Sequence, residues 1–199
     1  MRPPSDDFDA LYRDSEDPWS YRTRWYEARK RQLTLACLPA PRYPNAYEPG
    51  CAIGELSAAL ATRCDRLLVS DGSMLAVETA RRRLGPFDHV RVQRVQTPGE
   101  WPHDSFDLVV LSEFVYYLSP PDVEVLVRRL LETLSPDGTV LACHWRRRFP
   151  GTHFDGDGVQ AALHSLLELP RLMQLVDADL RLDVWSRDAR SVAEREGFV

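Results

Sequence analysis

The stretch Ala46-Tyr47-Glu48-Pro49-Gly50-Cys51-Ala52-Ile53-Gly54-Glu55-Leu56 constrains this chain more than any other. It reads as a short strand entering a glycine-rich turn, which opens a helix carrying Leu56, Ala59 and Leu60. Small residues at Gly50, Ala52 and Gly54 let the backbone turn tightly and pass close to a ligand, with helix N–H groups aimed at it. Roughly 20 residues past Gly50, the run Leu67-Leu68-Val69-Ser70-Asp71 is a buried strand ending in an acid. That is the spacing at which α/β folds offer a carboxylate to a ribose diol.

Two ribose-bearing ligands suit such a unit, a dinucleotide and S-adenosylmethionine. A nicotinamide fingerprint places a small residue three positions after its second glycine, where helix and strand pack closely. Counting from Gly50 and Ala52, that position is the bulky, charged Glu55. The third small residue is Gly54, which gives acid-x-G-x-A-x-G and favours S-adenosylmethionine, a ligand without a pyrophosphate. The competing bland reading is a tight connection with no ligand at all.

The 199 residues suit one domain with a full apolar core. No basic leader with an apolar stretch appears at Met1–Asp7, and no apolar run approaches ~20 residues, so a soluble, unexported, cytoplasmic protein is expected. Cys37, Cys51, Cys64 and Cys143 are scattered, which speaks against a disulfide framework or a zinc site, and no metal is expected. The net charge of -5 argues against broad nucleic-acid binding. Lys30 is the only lysine among 25 lysines and arginines.

Along the chain, Met1–Ser5 reads as a loose start, and Phe8, Leu11 and Tyr12 sit at helical spacing in Asp7–Arg13. Asp17-Pro18-Trp19-Ser20-Tyr21 is an aromatic turn, with Ser20 a candidate cap for a helix over Tyr21–Leu38. Arg22, Arg24, Arg29, Lys30 and Arg31 make that helix basic. They form either a solvated face, or a cover in which Trp19, Trp25 and the basic side chains close over the ligand and hold its carboxylate. Beyond Asp71 the reading is helix Met74–Leu84, strand Val90–Val95, buried strand Phe106–Leu111 and a helix from Ser119-Pro120-Pro121-Asp122 to about Leu134. A turn at Ser135-Pro136-Asp137-Gly138 then leads into strand Thr139–Cys143. Asp157 and Gln160 read as a capping box for a helix to Leu167. Arg171–Val176 and Leu180–Trp185 read as a closing antiparallel pair, and Arg187–Val199 as a polar tail. The expectation is an α/β, doubly wound, Rossmann-like and mainly parallel sheet with helices on both faces. An N-terminal helical cap over residues 1–40 precedes the ligand-binding domain, 41–188, and the tail, 189–199.

Ligands of such sheets lie at the carboxyl ends of the strands. Glu48 and the 50–54 turn are therefore placed beneath the methionine part of the cofactor, Asp71 at the ribose hydroxyls, and Gly72 and Met74 beside the adenine. Gln96 and Thr97 meet the adenine amino edge. Ser112, Glu113 and Tyr116-Tyr117 follow the fourth strand near the transferred methyl, and His144-Trp145-Arg146 follow the fifth.

At this point the residues resemble a known family. Glu48-Pro49-Gly50-Cys51-Ala52-x-Gly54, Asp71, Phe106-Asp107-Leu108-Val109 and Glu113-x-x-Tyr116-Tyr117-Leu118 are similar to class I S-adenosylmethionine methyltransferases. Within that class the chain resembles the nodulation protein S branch, with support from Asp17-Pro18-Trp19, Leu134-Ser135-Pro136-Asp137-Gly138 and Ser191-Val192-Ala193-x-Arg195-Glu196-Gly197. The resemblance implies a seven-stranded sheet and methyl transfer, in that branch to the free amine of a deacetylated glucosamine on a chitooligosaccharide. Two positions depart from the class pattern. Gln96 stands where an acid is usual, and Ala52 replaces a common glycine, which is tolerable if its φ is negative.

An amine must be neutral to attack a methyl sulfonium, so a base or a low-polarity pocket is required. Glu113, Tyr117 and His144 are the candidates, each with a structural alternative as cofactor anchor, pocket wall or hydrogen-bonded strand-end residue. The acceptor site is expected from Trp19–Trp25, Tyr117 and Trp145–Val159, an aromatic groove suited to a small molecule or an oligosaccharide. The rival functions are O- or S-methylation of a natural product, a cofactor-binding protein without catalysis, and, more distantly, an NAD-dependent oxidoreductase. Monomer and homodimer are both open, with neither nucleic acid nor membrane as partner.

Overall fold

The computed structural model describes residues 5–199, with side chains from residue 8 onward. The loose start expected at Met1–Ser5 lies, apart from Ser5, outside the described residues. Seven strands, β1 (Ala46–Pro49), β2 (Leu67–Asp71), β3 (Val90–Arg94), β4 (Phe106–Ser112), β5 (Leu134–Trp145), β6 (Arg171–Val176) and β7 (Leu180–Ser186), form one sheet in the order β3-β2-β1-β4-β5-β7-β6. The first five strands pair in parallel, and β7 runs antiparallel between β5 and β6. The helices are α1 (Ser5–Asp14), α2 (Trp25–Ala36), α3 (Glu55–Ala61), α4 (Met74–Leu84), α5 (Pro120–Thr133), α6 (Gly156–Leu167) and the short α7 (Val192–Arg195).

Strand alternation sorts the core onto the two faces of the sheet. Ala46, Leu108, Val110, Leu141 and Cys143 pack with Leu60 of α3 and Ala80 and Leu84 of α4. Tyr47, Val109, Leu111, Val140 and Ala142 pack with Leu126 and Leu130 of α5 and Leu163 of α6. The doubly wound arrangement therefore follows from apolar residues on both faces of the central strands. The four cysteines are buried as free thiols.

Several local expectations are corrected. Helix α2 begins at Trp25, with Arg24 at its N-cap position and no side-chain cap. Ser20 sits in a turn at φ 60, and the carboxylate of Asp17 takes the Tyr21 and Arg22 N–H groups at 2.8 and 3.0 Å. The expected turn at Ser135–Gly138 is absorbed into β5, where a register shift between Phe106 and Leu108 accommodates the extra residues opposite Leu134 and Thr139. Helix α6 is capped by Asp155, which accepts from Gly158 N at 2.7 Å, rather than by Asp157. Asp157 instead pairs with Arg146, and Gln160 turns inward to donate to the Ala142 carbonyl. Gly156 starts that helix because any Cβ there would lie 2.3 Å from the Trp145 carbonyl oxygen. Within the expected polar tail, Ser191 and Glu194 form a capping box that starts α7.

Candidate functional site

The loop from β1 to α3 alternates its backbone hand. Gly50, Ala52 and Gly54 all lie in the left-handed region, at φ 73, 49 and 83. Gly50 has no alternative, since a Cβ would meet the Phe114 ring at 2.9 Å. Ala52 corrects the expectation that its φ would be negative, for it carries a side chain where glycine is favoured. The turn makes its amide useful, as Ala52 N donates to Asp71 Oδ2 at 3.0 Å while Ser73 N donates to Oδ1 at 2.9 Å. Burial raises the Asp71 carboxyl pKa against these donors. Each oxygen keeps acceptor capacity toward the cleft that Asp71 lines.

That cleft, about 390 Å³, opens at the carboxyl ends of β1, β2 and β4. Gly50, Ala52, Asp71, Gly72, Gln96 and Thr97 line one side. Gln96 Nε2 donates to the Gly72 carbonyl at 3.0 Å, and Thr97 Oγ1 is buried without a partner. Aromatic side chains form the rest of the wall. Phe8 of α1 meets Tyr117 edge-on at 5.1 Å, Tyr12 meets Trp19 at 5.7 Å, and Tyr26 meets Trp145 at 5.0 Å. Trp19 is thus brought to the cleft, whereas Trp25 is 70% exposed outside it and its neighbour Arg24 lines the wall instead. Met74, at the exposed start of α4, also lies outside the cleft lining.

The cleft floor joins Glu113, a candidate from the sequence, to Glu27, which the sequence did not single out, through Lys30 of the basic helix. Lys30, reached from α2, is buried and gives its ammonium to Glu113 Oε1 at 2.7 Å and to both oxygens of Glu27 at 3.1 and 2.9 Å. Glu113, in a left-handed turn at φ 59 after β4, also accepts from the Tyr116 hydroxyl at 2.7 Å and from Trp145 N at 3.0 Å. Burial works to raise the Glu113 pKa, and Lys30 together with the Trp145 amide outweighs it, leaving this carboxyl below its ordinary value. The sequence did carry a signal. Its one lysine stands where every other basic residue is arginine, one helical turn from an acid.

A smaller pocket continues inward from this floor, lined by Glu48 and Ser112 with Lys30 and the 50–53 turn. Glu48 Oε2 has no partner there, and burial pushes the carboxyl up to about 8. Tyr117 lines the main cleft, and burial pushes its phenol up to about 12. His144 does not reach the cleft lining. It is fully buried beneath Tyr116, ring centroids 5.4 Å apart, and burial lowers its pKa to about 4. Its placement among the reacting groups is therefore corrected, because Tyr116 lies between His144 and the cleft.

Residues 5–167 match the family model described as Nodulation protein S (NodS). A nodulation protein S of Bradyrhizobium diazoefficiens is 32% identical over 133 residues, 63% of this chain and 61% of that protein. One of Rhizobium tropici is 33% identical over 139 residues, covering 67% and 58%. The matched stretch thus spans about three fifths of the length of these curated relatives. Among solved structures, a candidate methyltransferase from Pseudomonas syringae is 49% identical with TM-score 0.74, covering 82% of this chain and 99% of that one. The N-methyltransferase NodS of Bradyrhizobium japonicum WM9, solved with S-adenosyl-L-homocysteine, is 21% identical with TM-score 0.82, covering 92% and 98%. The fold is that of class I methyltransferases, and with a family match running from α1 through α6 the chain belongs to the nodulation protein S family.

Proposed function

We propose that this protein is an S-adenosylmethionine-dependent N-methyltransferase whose acceptor is the amine of an amino sugar, as a small molecule or within an oligosaccharide. The observation that carries the reading is Asp71. Its carboxylate stands at the end of β2, each oxygen fixed by one backbone N–H and open to an aromatic-walled cleft. A ribose diol needs that arrangement of two acceptors. Family membership and the relative solved with S-adenosyl-L-homocysteine support the same ligand.

The residues present fit the group. Asp71 takes the ribose hydroxyls, and Gly72 leaves room beside them. Gln96 and Thr97 lie on the adenine side. Glu48, Gly50, Ala52 and Ser112 floor the methionine end and Trp19 covers it, whereas Gly54 lies outside the lining and lets α3 pack closely on Ala80 and Leu84 of α4. When bound, the group supplies a methyl carbon already activated by a sulfonium leaving group. The chain's own contribution is then positioning and exclusion of water. Glu113 ties the Tyr116 hydroxyl and the Trp145 amide to the cleft floor, and Tyr117 shapes the acceptor entrance. Residues 1–40 act as a cap on the domain formed by 41–188, with 189–199 as a tail. Monomer or homodimer, acting in the cytoplasm without nucleic acid, completes the reading.

Calorimetric titration with S-adenosylhomocysteine tests it. Wild type is expected to bind in the micromolar range. Asp71→Ala should weaken binding about 10- to 100-fold, since hydrogen bonds to a charged group contribute about 1.5–3 kcal/mol. Radiolabelled methyl transfer to glucosamine oligomers, against their N-acetylated forms, then tests the acceptor. A folded wild type that binds no S-adenosylhomocysteine refutes the reading.

A further inference from the structure

Besides Asp71, two carboxylates line the cleft, Glu113 after β4 and Glu27 on α2, and their surroundings differ. Glu113 accepts from three donors, Lys30 Nζ, the Tyr116 hydroxyl and Trp145 N, so its oxygens are committed. Glu27 has Lys30 as its one hydrogen-bond donor among the described residues, and Lys30 makes its shorter contact with Glu113. Glu27 is buried, yet it lines both the main cleft and the smaller pocket beside Gly50. A second polar group from the same helix sits nearby. The Tyr26 hydroxyl is buried in the cleft lining with no partner among the described residues, and its ring lies 5.2 Å from Lys30 Nζ.

We propose that Glu27 is a catalytic residue, receiving the acceptor's ammonium group and taking its proton before methyl transfer, with the Tyr26 hydroxyl as a second contact to the same nitrogen. The assignment rests on the N-methyltransferase reading above. Proton bookkeeping closes. An ammonium passes one proton to the Glu27 carboxylate, giving a neutral amine and a carboxylic acid. The freed nitrogen lone pair forms the C–N bond as the C–S bond breaks, the electron pair staying on sulfur. Product leaves as the methylammonium, and Glu27 releases its proton to water. The charged groups around Glu27 are Lys30 and Arg31 on its own helix and Glu113 across the cleft, with the Tyr21 phenol beside them. Burial raises the Glu27 pKa while that of Glu113 is held down, the separation that distinguishes a proton acceptor from a permanently ionised anchor. A purely structural Glu27, serving only as the i,i+3 partner of Lys30, would leave acceptor binding and the pH profile untouched.

The test loads wild type, Glu27→Gln and Tyr26→Phe with S-adenosylhomocysteine and titrates each with glucosamine and with ethanolamine. Glu27→Gln is expected to keep S-adenosylhomocysteine affinity within about threefold and to lose amine affinity at least tenfold. Its turnover should fall on the order of 100-fold, and the acidic limb of kcat/KM should disappear, with partial rescue in Glu27→Asp. Tyr26→Phe should weaken amine binding a few-fold without lowering the melting temperature, which keeps the proposal testable if Glu27→Gln folds poorly. Equal amine affinity in wild type and Glu27→Gln overturns the assignment, as does a wild-type complex that binds neither amine. Collapse of S-adenosylhomocysteine affinity in Glu27→Gln also overturns it, placing Glu27 at the cofactor's own ammonium. A folded wild type that binds no S-adenosylhomocysteine locates the failure in the methyltransferase reading itself.

Discussion

Replacing Lys30 by methionine keeps the aliphatic stem and removes the ammonium held between Glu27 and Glu113. Its side chain is 6% exposed, and those of Glu27 and Glu113 are 10% and 11% exposed, so solvent cannot compensate for the lost charge. Glu113 keeps the Tyr116 hydroxyl and the Trp145 amide. Glu27 keeps nothing comparable and escapes its penalty by taking up a proton. From an ordinary value of 4.5, protonation at pH 7 costs about 1.4 kcal/mol per pH unit, or about 3 kcal/mol. That sets the scale of the loss, at the lower end of the 3–5 kcal/mol typical of broken buried pairs.

The loss depends on pH in a defined direction. In Lys30→Met the folded pKa of Glu27, already raised by burial in wild type, rises further above its unfolded value, so the variant loses more stability than wild type as pH rises past about 4.5. In wild type the depressed pKa of Glu113 gives stability that is present above its unfolded value and lost in acid. Both effects widen the gap between the two proteins toward neutrality. Urea unfolding followed by tryptophan fluorescence should therefore show a difference of about 3 kcal/mol at pH 7, shrinking to roughly 1 kcal/mol at pH 5. In thermal melts the pH 7 gap corresponds to about 6–12 °C for a chain of this size. A difference under about 1 kcal/mol at pH 7, or one that does not change with pH, refutes the reasoning.

Ala52→Gly should stabilise the protein by about 0.5–1 kcal/mol, because a side chain at φ 49 is strained where glycine is not. A melting temperature that stays level or falls counts against this. For His144, whose pKa burial lowers from 6.5 to about 4, the unfolded chain takes the proton first as pH falls through that window. Wild type should then lose roughly 3 kcal/mol between pH 6.5 and pH 4 from this residue. His144→Gln should flatten that limb in urea titrations and leave methyl transfer within about tenfold, whereas a larger loss of turnover would return His144 to the reaction.

The parts legible in the sequence are those written in local pattern. The small residues of the 50–54 turn, the acid ending β2, the unbroken apolar run of β4 and the Pro-rich start of α5 each fix a backbone choice within a few residues. What escaped depends on contacts between distant segments. Lys30 and Glu113 are separated by 83 positions, and neither side chain betrays the other through periodicity. A basic helix reads as a solvated face or as a cover over the ligand, and only the docking of α2 on the sheet shows Glu27 and Lys30 to be buried. Trp25 failed for the opposite reason. Its aromatic type was read without helix phase: Tyr26 and Lys30, one turn apart, face the cleft, and Trp25, the neighbour of Tyr26, points away from it. The displaced cap of α6 is similar, since Asp155 and Asp157 are equally good N-caps in isolation. The tight fit of Gly156 against Trp145 chooses between them.

The single lysine makes sense at a floor shared by two carboxylates. An arginine fork matches one carboxylate in plane, while a compact ammonium with three donors divides itself between two that approach from different sides. Because Glu113 also holds the Tyr116 hydroxyl and the Trp145 amide, the charge on α2 indirectly sets the positions of two cleft walls that belong to other elements. The acceptor-side wall is therefore only as well placed as α2 is docked. On the other side of the cleft, where the proposed reading puts the ribose, Asp71 is fixed by amides of the β1–α3 turn and of the residue preceding α4, independently of Lys30. The two halves of the cleft thus rest on separate supports. A weakened Lys30 contact should loosen acceptor recognition well before it reaches the ribose-binding end, and acceptor KM is the quantity that moves first.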